Sequence, residues 1–130
     1  MIILTIRTDK PEAEVGLYDT EKQLAYDTWQ AHRQLAETLH SRIDSLLKGQ
    51  HIEWSSIGGI VAFQGPGSFT GLRIGLTVGN ALAYSYSLPV VATQGLDWIN
   101  AGIARLLKGE SDAPAQPFYG AEVHITPQKK

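Results

Sequence analysis

The segment from Ile57 to Ala83 constrains the fold of this chain more than any other. An apolar, strand-like run, Ile57 to Phe63, stops at Gly65-Pro66-Gly67, and a helical pattern opens behind it. In that helix a small residue recurs at every fourth position, Gly71, Gly75, Gly79 and Ala83. Residues four apart stack on one face of a helix, so this face carries almost no side chain. Each glycine inside a helix costs about 0.5–1 kcal/mol relative to alanine. Three of them call for the close approach of another backbone, supplied by an element of the same domain or by a helix of a partner protein. Small-xxx-small stripes are familiar in membrane helices. Here Arg73 and Asn80 interrupt the helix, and no apolar run reaches the ~18 residues of a spanning segment, so a soluble, tightly packed helix is expected.

The remaining elements follow from periodicity. Ile2 to Ile6 reads as a buried strand. Glu14 to Tyr18 and Gln23 to Trp29 read as two strands joined by the polar turn Asp19-Thr20-Glu21-Lys22. From Ala31 to Leu47 the spacing becomes helical, with Leu35, Leu39, Ile43, Leu46 and Leu47 on one stripe, and Gly49 is placed as its stop. After the glycine-striped helix, Pro89 to Thr93 predicts a short strand and Leu96 to Lys108 a third helix. Beyond Gly109 the composition turns to Pro, Ala, Glu, Gln and Lys, and a mobile tail over 109–130 is expected, with Phe118-Tyr119-Gly120 as an extended anchor. The order β-β-β-α-β-α-β-α implies an α/β fold with a mixed sheet of about five strands. That order suits a single actin-like (ASKHA, RNase H-like) lobe spanning residues 1–108.

With 130 residues, one domain is expected; Lys and Arg number 11 against 13 Asp and Glu, so no basic field advertises nucleic acid or an anionic membrane. The absence of cysteine removes disulfides, thiolate nucleophiles and Cys-based metal sites. The start, Met1 to Arg7, lacks the form of a signal peptide, and a cytoplasmic protein is the expectation.

The glycine turn invites a phosphate-binding reading through Gly65, Gly67, Ser68 and Thr70, because amides at a helix start attract anions. It fails the specific tests. Gly71 is followed by Leu72-Arg73, where a Walker loop needs Lys and then Ser or Thr, and Ser85 to Thr93 contain no acid for a ribose. Ser68 lies between Gly67 and Phe69 and lacks the nucleophile-elbow pattern. His32 and His40 are too far apart for a helical metal pair. An actin-like phosphate site would want an aspartate at the end of the first strand, where this chain has Arg7, with Asp9 or Asp27 as its ion-pair partner on the surface. No catalytic constellation and no metal site emerges.

Gly65-Pro66-Gly67-Ser68-Phe69-Thr70-Gly71-Leu72-Arg73-Ile74-Gly75 resembles the signature of the TsaB (YeaZ) family, the non-catalytic subunits in the threonylcarbamoyladenosine pathway of tRNA modification. Ile3 to Thr8, the helix from Ala31 to Leu47 and Leu88-Pro89-Val90 are similar to the family's flanking segments. The resemblance implies a scaffold that pairs with a TsaD-like catalytic subunit through its first two helices. That subunit carries the metal-binding histidines and transfers the threonylcarbamoyl group, and a TsaE-like ATPase completes the complex. ATP and metal are thus expected on partner subunits, with no cofactor on this chain and tRNA met only indirectly. The same helices would mediate a homodimer when the partner is absent. Carried onto this sequence, the interface is Leu35 and Leu39 of the first helix with Gly71, Leu72, Gly75, Leu76, Gly79 and Ala83 of the second. Two departures from the family are read here: Arg7 replaces its first-strand aspartate, and after Lys108 only a tail, with no counterpart of the usual second lobe, is expected, the tail covering the exposed sheet. The competing reading is a small nucleotide-binding module of the actin-like ATPase superfamily.

Overall fold

The computed structural model describes residues 1–31 and 34–118. In chain order the elements are β1 (Ile2–Arg7), β2 (Glu12–Asp19), β3 (Lys22–Gln30), α1 (Leu35–Gly49), β4 (Ile57–Phe63), α2 (Phe69–Tyr86), β5 (Val90–Thr93) and α3 (Trp98–Leu107). The strands form one sheet in the order β3-β2-β1-β4-β5. β1, β2 and β3 pair antiparallel, while β1, β4 and β5 run parallel. This is the mixed five-stranded sheet that the element order implies.

Strand alternation sends side chains to two separate cores. Leu4, Ile6, Val15, Leu17, Ile60, Ala62, Val90 and Ala92 pack with Leu35, Leu39, Ile43 and Leu47 of α1 and Leu76, Leu82 and Ala83 of α2. Ile3, Val61, Phe63 and Val91 pack with Trp98, Ile103 and Leu106 of α3. The aliphatic residues Leu39, Ile43, Ile60 and Val61 are wholly buried, and each such side chain contributes roughly 1.5–3 kcal/mol of transfer free energy.

Three local expectations are corrected. α1 begins at Leu35 rather than Ala31, because the Ala31 N–H donates to Pro11 O and prolongs the strand pairing. Gly49 remains helical, and the left-handed step falls on His51, with φ 56°. The stretch after Gly109, expected to be mobile, is held against the body through Phe118. Its Ala115 is buried with the α1–α2 core, and the Phe118 N–H donates to Gln64 O at 2.8 Å. Of the expected anchor, Tyr119 and Gly120 lie outside the described residues, as do His32 and residues 121–130.

Candidate functional site

Two regions carry the residues singled out by the sequence: the turn where β1 and β4 end, and the helix α2 that springs from it. At the turn, Ser68 caps α2. Its Oγ accepts the Gly71 N–H, its carbonyl accepts the Leu72 N–H, and its own N–H donates to Asp9 O. Gly65 adopts φ 123°, and a Cβ there would lie 2.0 Å from the Phe118 carbonyl oxygen. Gly67 is pressed against Asp9, whose Cβ would be 2.4 Å from a Cβ at that position. Three of the four expected anion-binding residues are therefore committed to contacts within the chain. Thr70 is exposed and lines a cleft of about 390 Å³ with Thr8, Lys10, Ser68 and Ile74.

Arg7 occupies the end of β1. Its Nε and Nη2 donate to the two carboxylate oxygens of Asp9 at 2.7 and 3.1 Å, and its guanidinium lies 3.9 Å from the Phe63 ring centre. The bond to Asp9 holds the arginine above its ordinary pKa, against the opposing effect of burial. The expected surface pair is thus with Asp9 and is largely buried, while Asp27 pairs with Arg42 at 3.2 Å. A bidentate ion pair stacked on an aromatic ring fills this end of the strand with the chain's own charges.

The glycine stripe of α2 faces inward. A Cβ on Gly71 would fall 2.2 Å from Thr8 O and one on Gly75 2.1 Å from Thr8 Oγ1, while the Thr8 hydroxyl donates to Gly71 O at 2.7 Å. Further along, Gly79 faces Ile6 and Ile60 at 3.8 Å. Leu35, Leu39, Leu72, Gly75, Leu76, Gly79 and Ala83 are all buried within the chain, and Gly71 is half-buried. The expected interface residues thus pack inside the chain: Thr8 fills the stripe with its carbonyl at Gly71 and its side chain at Gly75, and the side chains of Ile6 and Ile60 lie against Gly79.

The opposite face of α2 repeats the same spacing with exposed residues, Phe69, Arg73, Thr77 and Ala81. Together with half-buried Ile74 and Val78 and with Ala36 of α1, the first three line a groove of about 350 Å³. Arg73 holds its guanidinium 5.3 Å from the centre of the Phe69 ring. This row is absent from the interface expected from the sequence, although a phenylalanine and an arginine one turn apart on an amphipathic helix are a signal for it. On the other sheet face, the Tyr26 hydroxyl donates to Glu14 at 2.6 Å. Burial first, and then this bond, push the phenol well above its usual range. Among the described residues, no group of three His, Cys, Asp or Glu could hold a metal, and no helix is long and apolar enough to cross a membrane.

The family model described as TsaD, tRNA N6-adenosine threonylcarbamoyltransferase, matches residues 29–117, more than half of the chain. The tRNA N6-adenosine threonylcarbamoyltransferase of Methylobacillus flagellatus is 31% identical over 91% of this chain and 38% of its own length. The tRNA threonylcarbamoyladenosine biosynthesis protein TsaB of Bacillus subtilis is 30% identical over 78% of this chain and 44% of its own length. The chain thus spans less than half the length of these relatives. Among solved structures, YeaZ from Pseudomonas aeruginosa superposes with a TM-score of 0.68 at 29% identity, covering 83% of this chain and 50% of that one. Thermus thermophilus RuvC shares the fold alone, with a TM-score of 0.52 at 14% identity over 88% of this chain and 84% of its own. The lobe is of the actin-like, RNase H-like kind. With the glycine turn, the mixed sheet and these matches together, the chain belongs to the family that the TsaD model describes and is a TsaB/YeaZ family member.

Proposed function

We propose that this chain is a non-catalytic subunit in tRNA threonylcarbamoyladenosine biosynthesis, binding and activating a TsaD-like catalytic subunit through the outer side of α1 and α2. The observation that carries the reading is the exposed α1–α2 groove lined by Ala36, Phe69, Arg73, Ile74, Thr77 and Val78. It joins half-buried aliphatic residues to an aromatic ring and a guanidinium, a mixture enriched at protein interfaces. The two helices are those through which the resemblance implies pairing, with the contact moved from the buried stripe to the outer row. The self-paired Arg7 and Asp9 at the end of β1 support leaving ATP and metal to the partner subunits, a TsaD-like protein and a TsaE-like ATPase. tRNA is met through the complex, in the cytoplasm. Without its partner, the chain is expected to pair with itself through the same groove.

The alternative, a small nucleotide-binding module, rests on the cleft lined by Thr8, Lys10, Ser68 and Thr70. Two experiments separate the readings. Co-expression with a TsaD-like protein from the same genome should give a one-to-one complex by light scattering, and titration of the isolated chain with ATP and magnesium should give no heat. Submillimolar nucleotide binding that disappears in Thr70→Ala, with no complex formed, would favour the alternative.

A further inference from the structure

β5 is an edge strand of the sheet, and how its outer side is covered is unusual. Pro89 and Thr93 offer their carbonyls to Ile60 and Gln64, so the alternating residues Val90 and Ala92 turn their main-chain groups away from β4. All four of those groups are satisfied without a neighbouring strand. The Val90 N–H donates to Ser111 Oγ at 3.2 Å and Val90 O accepts the Asp112 N–H at 2.8 Å. The Ala92 N–H donates to Asp112 Oδ2 at 2.8 Å and Ala92 O accepts from Arg105 Nη1 at 3.3 Å. Asp112 thus imitates a paired strand residue, its carboxylate standing where a partner's carbonyl would be.

The strap that carries Asp112 is held by side-chain contacts and by the buried Ala115. Arg105 of α3 grips the Asp112 carboxylate through both terminal nitrogens and takes Glu110 on its Nε at 2.6 Å. Asn80 of α2 exchanges two hydrogen bonds with the Ala115 backbone, at 2.8 and 3.0 Å, and Gln64 bonds Gln116 and Phe118. These are charged and amide contacts, several of them reached by solvent, in place of a strand ladder. The strand beneath is wholly buried, Val90-Val91-Ala92-Thr93. By contrast, the opposite edge, β3, protects itself with Lys22, Gln23, Asp27, Thr28 and Gln30. An apolar edge without such gatekeepers is a template for pairing once uncovered.

We propose that residues 110–118 are a removable guard over β5, locked by the Arg105–Asp112 pair, and that β5 with the guard lifted pairs antiparallel with β5 of a second copy of this chain. The edge is self-complementary. A twofold axis through Val91 sets Val90 of one copy opposite Ala92 of the other, and the four groups now bonded to the strap bond reciprocally. This surface is separate from the α1–α2 groove, so the two associations are read apart in a Thr77→Arg background.

The test compares Asp112→Ala and the gentler Asp112→Asn with the parent, by amide exchange in NMR and by sedimentation over a concentration series. In dilute Asp112→Ala the Val90 and Ala92 amides are expected to exchange at least tenfold faster, while Val91 and Thr93 keep the parent rate. At high concentration the variant should dimerise and regain protection at Val90 and Ala92, and Asp112→Asn should fall between it and the parent. Unchanged protection of Val90 and Ala92 in both variants, or a variant that stays monomeric throughout, overturns the proposal. If Asp112→Ala also loses Val91 and Thr93 protection, its fold has failed and Asp112→Asn alone decides.

Discussion

The two faces of α2 share one spacing and put it to opposite uses. Inward, Gly71, Gly75 and Gly79 give room to Thr8, Ile6 and Ile60 of the same chain. Outward, Phe69, Arg73 and Thr77 stand exposed beside α1. A row of small residues on a helix is therefore evidence of close packing and says nothing of whose backbone is packed. In this lobe the close approach is what ties the end of β1 to the start of α2, through the Thr8 hydroxyl and the Asp9 carbonyl. The outer row, with Ala36, Ile74 and Val78, lines the groove between the two helices.

Substitutions on the two faces should separate stability from association, and the inner face gives the largest effects. Gly75→Leu forces a side chain into Thr8, with a Cβ only 2.1 Å from its Oγ1. A loss of about 3 kcal/mol is expected, read as a fall of roughly 10 °C in the melting midpoint. Ser68→Ala removes the cap on the Gly71 amide and should cost about 1 kcal/mol in urea unfolding. Gly79→Ala sharpens the comparison by reversing the sign, because its new methyl would meet Ile6 and Ile60 at an ordinary 3.8 Å. Helix propensity then dominates, and a gain of about 0.5–1 kcal/mol is expected; a loss would mean that the inner face is tighter along its whole length than the distances indicate. Thr77→Arg, exposed on the outer face, should leave stability within about 0.5 kcal/mol of the parent.

Much of this fold is legible in the sequence because its signals are local. The β-branched run before the glycine turn, the polar turn between β2 and β3 and the leucine spacing of α1 each name an element within a few residues. For Arg7 the sequence offers Asp9 or Asp27, and the structure takes the nearer one, two positions away, and gives Asp27 to Arg42. The orientation of the glycine stripe is not legible, because Thr8 fills it from 63 positions away. Spacing shows that a face is bare and leaves open what enters it. The strap is hidden in the sequence for a related reason. Its composition resembles that of a mobile tail, and its hold depends on Asp112 meeting the outward N–H of Ala92, twenty positions earlier, a match that exists only once β5 has become an edge. The start of α1 is obscured by Ala31, an alanine that suits a helix but whose amide is taken by Pro11.

The most direct test of the two-faced helix is co-purification of a TsaD-like protein with two variants of this chain, Thr77→Arg and Gly79→Ala, each first shown to be folded by circular dichroism. Thr77→Arg should lose the partner, with affinity reduced at least tenfold, while Gly79→Ala retains it at the parent level. Retention by Thr77→Arg together with loss by Gly79→Ala would contradict the assignment and return the interface to the glycine stripe.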